Sequence, residues 1–148
     1  MFAGVFERTL GLLRRQPGFD LAAIGERWLE RPLTHDGVAG TLRIRQLPAS
    51  LPRGDFPFVA MAWLDQALPA REAAERSEAI RQALERQGRC LLVLVHHTPD
   101  RLDCYAYAAS AKALDRAFGA LGDDALRWGI NDDPGWREYE HARGLAGA

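Results

Sequence analysis

The sequence predicts an α+β domain on a ferredoxin-like β-α-β-β-α-β core, with an N-terminal helix and strand added to it. Three observations carry this expectation. Residues 56 to 131 read in order as strand, helix, strand, strand, helix, strand. The two helical segments gather their apolar residues on one stripe, and two of the strands are apolar at successive positions, as strands covered on both faces are. With 148 residues, 47% of them hydrophobic, the chain has the size of one domain and can bury a sizeable core. Within that single domain, 1–148, residues 1–50 form a helix and strand extension, 56–131 the core, and 133–148 a short helix and tail.

Phe2, Val5, Phe6, Leu10 and Leu13 recur at helical spacing and predict an amphipathic helix over residues 2–15, stopped by Gln16-Pro17-Gly18. Residues 19–33 admit two readings: Leu21, Ile24 and Trp28 fit a helix, whereas Trp28 to Leu33 fit the start of a strand. The turn signal His35-Asp36-Gly37 leads into Thr41-Leu42-Arg43-Ile44-Arg45, which alternates with period two as a half-buried strand does. Phe58 to Leu64 is apolar throughout and reads as a strand covered on both faces.

Residues 70–87 place Ala73, Ser77, Ile80 and Leu84 on one helical face, with Gly88 in the C-cap position. Leu91 to Val95 is a second two-sided strand, and Cys104 to Tyr107 returns from it after a turn within 97–102, so a hairpin is expected. Ser110 is placed to N-cap a helix buried through Leu114, Ala117, Phe118 and Leu121, with Gly122 closing it. Leu126, Trp128 and Ile130 alternate as a last strand. Both core helices then lie on one sheet face. The other face, equally apolar, needs a cover, either the N-terminal segment or a second copy of the chain.

Bulk properties narrow the function classes. Nineteen basic residues against 20 acidic ones give a net charge of -1, which argues against nucleic acid as a partner. Lys112 is the only lysine, and the arginine excess reads as a coding bias rather than an arginine patch. Glu7 and Arg8 interrupt the apolar N-terminus and spoil a secretory signal, and no segment approaches a membrane span, so a soluble cytoplasmic protein is expected. Cys90 and Cys104 are expected to be reduced thiols.

His96 and His97, with Asp100, Asp103 and Cys104 nearby, suggest metal ligands, but strand neighbours point to opposite faces, so no metal is expected; His97 is instead expected to be wet and paired with Asp103 across the hairpin. Asp132 and Asp133 suggest paired carboxylates, but Asp133-Pro134 reads better as an N-cap followed by proline at the first helical position. In the short helix that follows, Trp136, Tyr139 or Glu140, and Arg143 share one side, which suits either a protein-binding face or the packing face. No serine lies in G-x-S-x-G, no glycine-rich phosphate loop occurs, and Tyr105 and Tyr107 lack the basic and aromatic motif of an RNA platform.

Gly54-Asp55-Phe56-Pro57, the Leu68-Pro69 lead into an acidic and basic helix, Arg101-Leu102-Asp103-Cys104-Tyr105-Ala106-Tyr107, and Asp132-Asp133-Pro134-Gly135-Trp136-Arg137-Glu138-Tyr139 together resemble the bacterial family called domain of unknown function 695. The resemblance spans residues 27–140 and leaves the N-terminal helix outside it. It implies an intracellular bacterial protein of mixed α/β fold with no established activity. The pattern is also similar to the regulator of ribonuclease activity B family, which implies a non-catalytic protein that works by binding an enzyme, although this chain lacks that family's strongly acidic character.

The expectation from sequence is therefore a cofactor-free binding or regulatory module that engages a protein partner or pairs as a homodimer. Its candidate binding residues are His97, Asp132, Asp133, Trp136, Tyr139 and Arg143. The alternative is a small enzyme or ligand binder with His97, Asp132 and Asp133 in one cleft beside the final strand.

Overall fold

The structure, a computed structural model, describes residues 19–147. The helix expected over 2–15 lies outside them. Among the described residues, six antiparallel strands form one sheet: β1 (Trp28–His35), β2 (Val38–Arg45), β3 (Phe58–Leu64), β4 (Cys90–Thr98), β5 (Arg101–Ala108) and β6 (Arg127–Asp132). Helices α1 (Ala70–Glu85), α2 (Ala111–Ala120) and α3 (Arg137–Ala146) complete the elements. The sheet order is β1-β2-β4-β5-β3-β6. The architecture is α+β, and among the described residues no helix is long and apolar enough to cross a membrane.

Of the two readings of residues 19–33, the strand is the one formed from Trp28 onward, preceded only by a short 3-10 turn, Leu21–Ala23. Pro32, which lacks an N–H, is tolerated because β1 pairs on one side only and is an edge strand. Asp36 and Gly37 both have positive φ, 51° and 78°, the paired left-handed conformation that two-residue hairpin turns require. Strand β2 therefore begins at Val38, three residues earlier than its alternation suggests.

Alternation sorts every strand onto two faces. Ala60, Ala62, Leu64, Leu92, Val95, Leu102, Cys104 and Ala106 point to the side covered by α1 and α2, where they meet Ala73, Ile80, Leu84, Leu114 and Phe118. Val59, Leu91, Val93, Leu94 and Tyr107 point to the other side. The β4–β5 register slips between Leu92 and Leu94, so Val93 bulges and both it and Leu94 reach the second face. Like β3, β4 reads as continuously apolar because both of its faces are covered.

Much of the second face is covered by this same chain, through three separated stretches. Leu21 and Ile24, Leu51 and Phe56, and Trp136, Tyr139 and Ala142 form a buried cluster with the sheet. The C-terminal segment, expected as an appended helix and tail, is part of this layer. Its position follows from Trp136, Tyr139 and Ala142, spaced three apart, which need an apolar surface once the helix has formed.

One buried ion pair ties the edge of the sheet to both layers. Arg45 is 1% exposed and sits on the helix side of β2. Its guanidinium donates to both carboxylate oxygens of Glu85 at 2.8 and 3.2 Å, and to the carbonyls of Gly25 and Leu92 at 3.2 Å each. Glu85 Oε2 also accepts the Leu92 amide at 3.2 Å. Trp28 lies across from Arg45 and carries the Arg43 and Arg45 guanidinium groups 4.6 and 5.2 Å from its ring centroid.

A buried guanidinium stripped of its carboxylate is more costly than the intact pair is favourable. Glu85→Ala is expected to lower the free energy of unfolding by about 3 kcal/mol. The Arg45→Met, Glu85→Leu double variant should recover most of that loss, both read from urea unfolding curves.

Candidate functional site

The expected site residues divide by location. Asp133 and Trp136 lie in a buried polar knot beneath α3. The backbone turns from β6 through Asp133-Pro134-Gly135 before the helix starts, and Trp136 occupies the N-cap position with left-handed φ of 55°. The expected arrangement, with Pro134 as first helical residue, is thus corrected. Asp133 caps from one turn earlier. Its Oδ1 accepts the Arg137 amide at 2.8 Å and its Oδ2 accepts the Glu138 amide at 3.1 Å, supplying acceptors to two N–H groups that the first helical turn leaves free.

The same carboxylate reaches the sheet. Tyr107 Oη on β5 donates to Asp133 Oδ2 at 2.6 Å, and the Tyr139 amide donates to that hydroxyl at 3.3 Å. The Trp136 ring stacks on Tyr107 with centroids 3.8 Å apart and planes 9° from parallel. Its indole Nε1 donates to the carbonyls of Arg53 and Phe56, both at 3.0 Å. Tyr139 donates its hydroxyl to the Arg45 carbonyl at 2.6 Å. Trp136 is wholly buried, and Tyr139 and Asp133 are 3% and 6% exposed. Of the two roles open to this side of the helix, packing is therefore the one that Trp136 and Tyr139 fill.

Burial pushes the Asp133 carboxyl up. The Tyr107 hydroxyl and the two helical amides outweigh it and hold the group below its ordinary 3.8. Burial, followed by the bond to Asp133, pushes the Tyr107 phenol up, so the pair stays as phenol and carboxylate. Arg143 lies outside this knot, with its guanidinium 5.9 Å from the Tyr139 ring and 3.1 Å from Glu140.

His97 and Asp132 are not brought together with Asp133. His97 pairs with Leu102, which pairs with Leu64, whereas Asp132 pairs with Phe58 at the other end of β3. At roughly 3.3 Å per residue the two ends are about 20 Å apart. His97 Nε2 lies 2.8 Å from the Leu68 carbonyl on the helix side, and Asp132 is exposed. The partner of Asp103 is His96, which faces it across the hairpin with Nδ1 4.0 Å from Oδ2, rather than the expected His97.

Burial lowers the His96 pKa despite the opposing charge of Asp103, which keeps the imidazole neutral. Among the described residues no three His, Cys, Asp or Glu side chains are grouped to hold a metal ion. Cys90 and Cys104 are buried free thiols, pushed up to about 11 and about 12 by burial, which leaves little thiolate to act as a nucleophile.

The cover of the second face is incomplete, and the open part holds the residues that sequence reasoning missed. Toward the hairpin end of the sheet, Met61 and Trp63 on β3 and Arg101, Asp103 and Tyr105 on β5 are all partly exposed. Met61 stands opposite Tyr105 and Trp63 opposite Asp103. The Arg101 guanidinium lies 5.3 Å from the Trp63 ring centroid, and its Nε donates to Asp103 at 2.6 Å. Neither Met61 nor Trp63 belongs to a buried cluster. Their signal in the sequence was the pair of large side chains on the face opposite Ala60 and Ala62. No protein-family model matches the chain, and no curated protein matches it.

The knot makes a pH-dependent contribution to stability. Because the folded Asp133 pKa is depressed, its contribution is complete above the unfolded value of 3.8 and is lost as pH falls through the lower folded value. Asp133→Asn is expected to lose about 2 to 3 kcal/mol at pH 7, with a gap to wild type that narrows below about pH 4. Urea midpoints across acid pH measure it; a gap independent of pH would contradict the assignment. Trp136→Ala is expected to cost about 3 to 5 kcal/mol in the same assay.

Proposed function

We propose that the chain is a non-catalytic binding or regulatory module that engages a protein partner through the open strip of Met61, Trp63, Arg101 and Tyr105. The observation that carries this reading is the composition and placement of that strip. Trp, Tyr, Met and Arg are the side chains enriched at protein interfaces, because each buries much area or bonds in several ways. Here they sit on a rigid sheet.

The groups able to do acid-base chemistry serve the fold instead. Asp133 caps a helix and holds Tyr107, His97 bonds a carbonyl, and Asp132 lies at the far end of the sheet from His97. The ferredoxin-like reading of the core is supported by the order β6-β3-β5-β4 with α1 and α2 on one face. The resemblance to the family of unknown function 695, and in pattern to the regulator of ribonuclease activity B family, points the same way, toward a cytoplasmic bacterial protein that acts by binding.

A photo-crosslinking amino acid placed at position 63 in living cells tests this. It should give one discrete adduct with another polypeptide, competed by unlabelled wild type and not by Trp63→Ala, whereas the same group at exposed Asn131 should give none. Absence of a competed adduct at position 63, or an adduct with the chain itself, would refute the reading.

A further inference from the structure

On the helix side of the sheet, α1 and α2 leave a groove of about 530 Å³ between them. That volume is within the range of ligand-binding clefts. Alanines of both helices, Ala83 and Ala113 among them, line it. Arg86 and Arg89, just past the end of α1, and Lys112 and Arg116, one turn apart on α2, line it together with the amides of Gln82 and Gln87. No carboxylate lines it.

All four cations are exposed, and among the described residues none is engaged in an ion pair. The other arginines of α1 contrast with them. Arg71 pairs with Glu75, Arg76 with Asp123, and Arg81 with Glu78, Glu85 and Glu26. In a chain of net charge -1, four uncompensated cations in one groove are a local concentration, and the only lysine is one of them. Three of the 18 arginines and the single lysine line this groove.

We propose that this groove binds an acidic amphipathic helix of a partner protein. Its carboxylates would meet Arg86, Arg89, Lys112 and Arg116, and its small apolar side would seat on the alanines, a helix-in-groove contact with charge complementarity. Lys112 and Arg116 are separated by one helical turn, the spacing of carboxylates on successive turns of a bound helix. The inference rests on the binding-module reading but uses the opposite face of the sheet from Trp63.

The test uses the full-length protein and a fluorescein-labelled helical peptide with glutamates on one side and alanines on the other, with a twin carrying glutamine for glutamate. Fluorescence anisotropy should show saturable binding of the glutamate peptide, weakened about tenfold by Arg86→Glu with Arg116→Glu. Arg27→Glu with Arg31→Glu changes the charge equally at exposed positions outside the groove and should bind as wild type. Circular dichroism and urea midpoints verify that both double variants are folded.

Equal weakening in the two double variants, no saturable binding, or no preference over the glutamine twin would overturn the proposal. So would displacement by millimolar inorganic phosphate, which indicates a small anion, or tighter binding of a single-stranded oligonucleotide. A shift in elution volume on reversing the groove charges would assign the groove to a second copy and also overturn it. Trp63→Ala should leave peptide affinity unchanged. Failure of the peptide with a competed adduct at position 63 removes the groove alone, and loss of both removes the binding-module reading.

Discussion

The Asp133 carboxylate is the point on which the second layer of this fold depends. Strands β3 and β4 are apolar on both faces, yet α1 and α2 cover only one. The remaining layer comes from stretches far apart in sequence, and each alone has too little apolar surface to hold its place against chain entropy. Asp133 joins them chemically: it fixes the start of α3, bonds Tyr107 in the middle of the sheet, and positions Trp136 over that ring. Trp136 in turn reaches the carbonyls of Arg53 and Phe56 in the stretch that carries Leu51. Left-handed backbone at a tryptophan costs roughly 1 to 2 kcal/mol, an amount that the stacking and the two hydrogen bonds offset.

Closing the second face from within the chain has an effect on what is left outside. Because α3 takes up the half of that face around Tyr107, the part that stays open lies at the hairpin end, on the rigid middle strands. The helix side is organised differently. There the ion pairs of α1 are nearly all satisfied, and Arg45 is drawn into the interior by Glu85. Four cations without an ion pair among the described residues lie where α1 ends and α2 begins. Two surfaces of contrasting chemistry, one aromatic and one cationic, thus occupy opposite sides of a single thin sheet.

What could be read in the sequence was what depends on neighbours along the chain. Alternation at Thr41 to Arg45, the helical stripe through Ala73, Ile80 and Leu84, and the glycines at 88 and 122, both with positive φ, each express local geometry. Ser110 accepts the Ala113 amide as an N-cap should. What failed depended on pairing across the chain. One residue of register decides whether His96 or His97 faces Asp103, and the bulge at Val93, which sets the faces along β4, has no mark in its apolar run. Asp133-Pro134 looks the same whether it opens a helix directly or caps it from one turn away. Only the phenol of Tyr107, 26 residues earlier, distinguishes the two. For the same reason Trp136 and Tyr139 could be read as either an exposed or a buried face, since a stripe of three on a short helix does not say what it meets.

The place of α3 in the chain also bears on the order in which the molecule can be completed. All six strands and both helices of the first layer precede it, so a growing chain can form the sheet and cover one side before residues 133–147 exist. Until they arrive, Tyr107 lacks the indole that stacks on it, and the second face is only partly covered. Closing the second layer therefore depends on the docking of one short helix. That makes residues 133–147 a built-in check, because a chain in which they fail to dock carries an apolar patch of the kind that chaperones and proteases recognise.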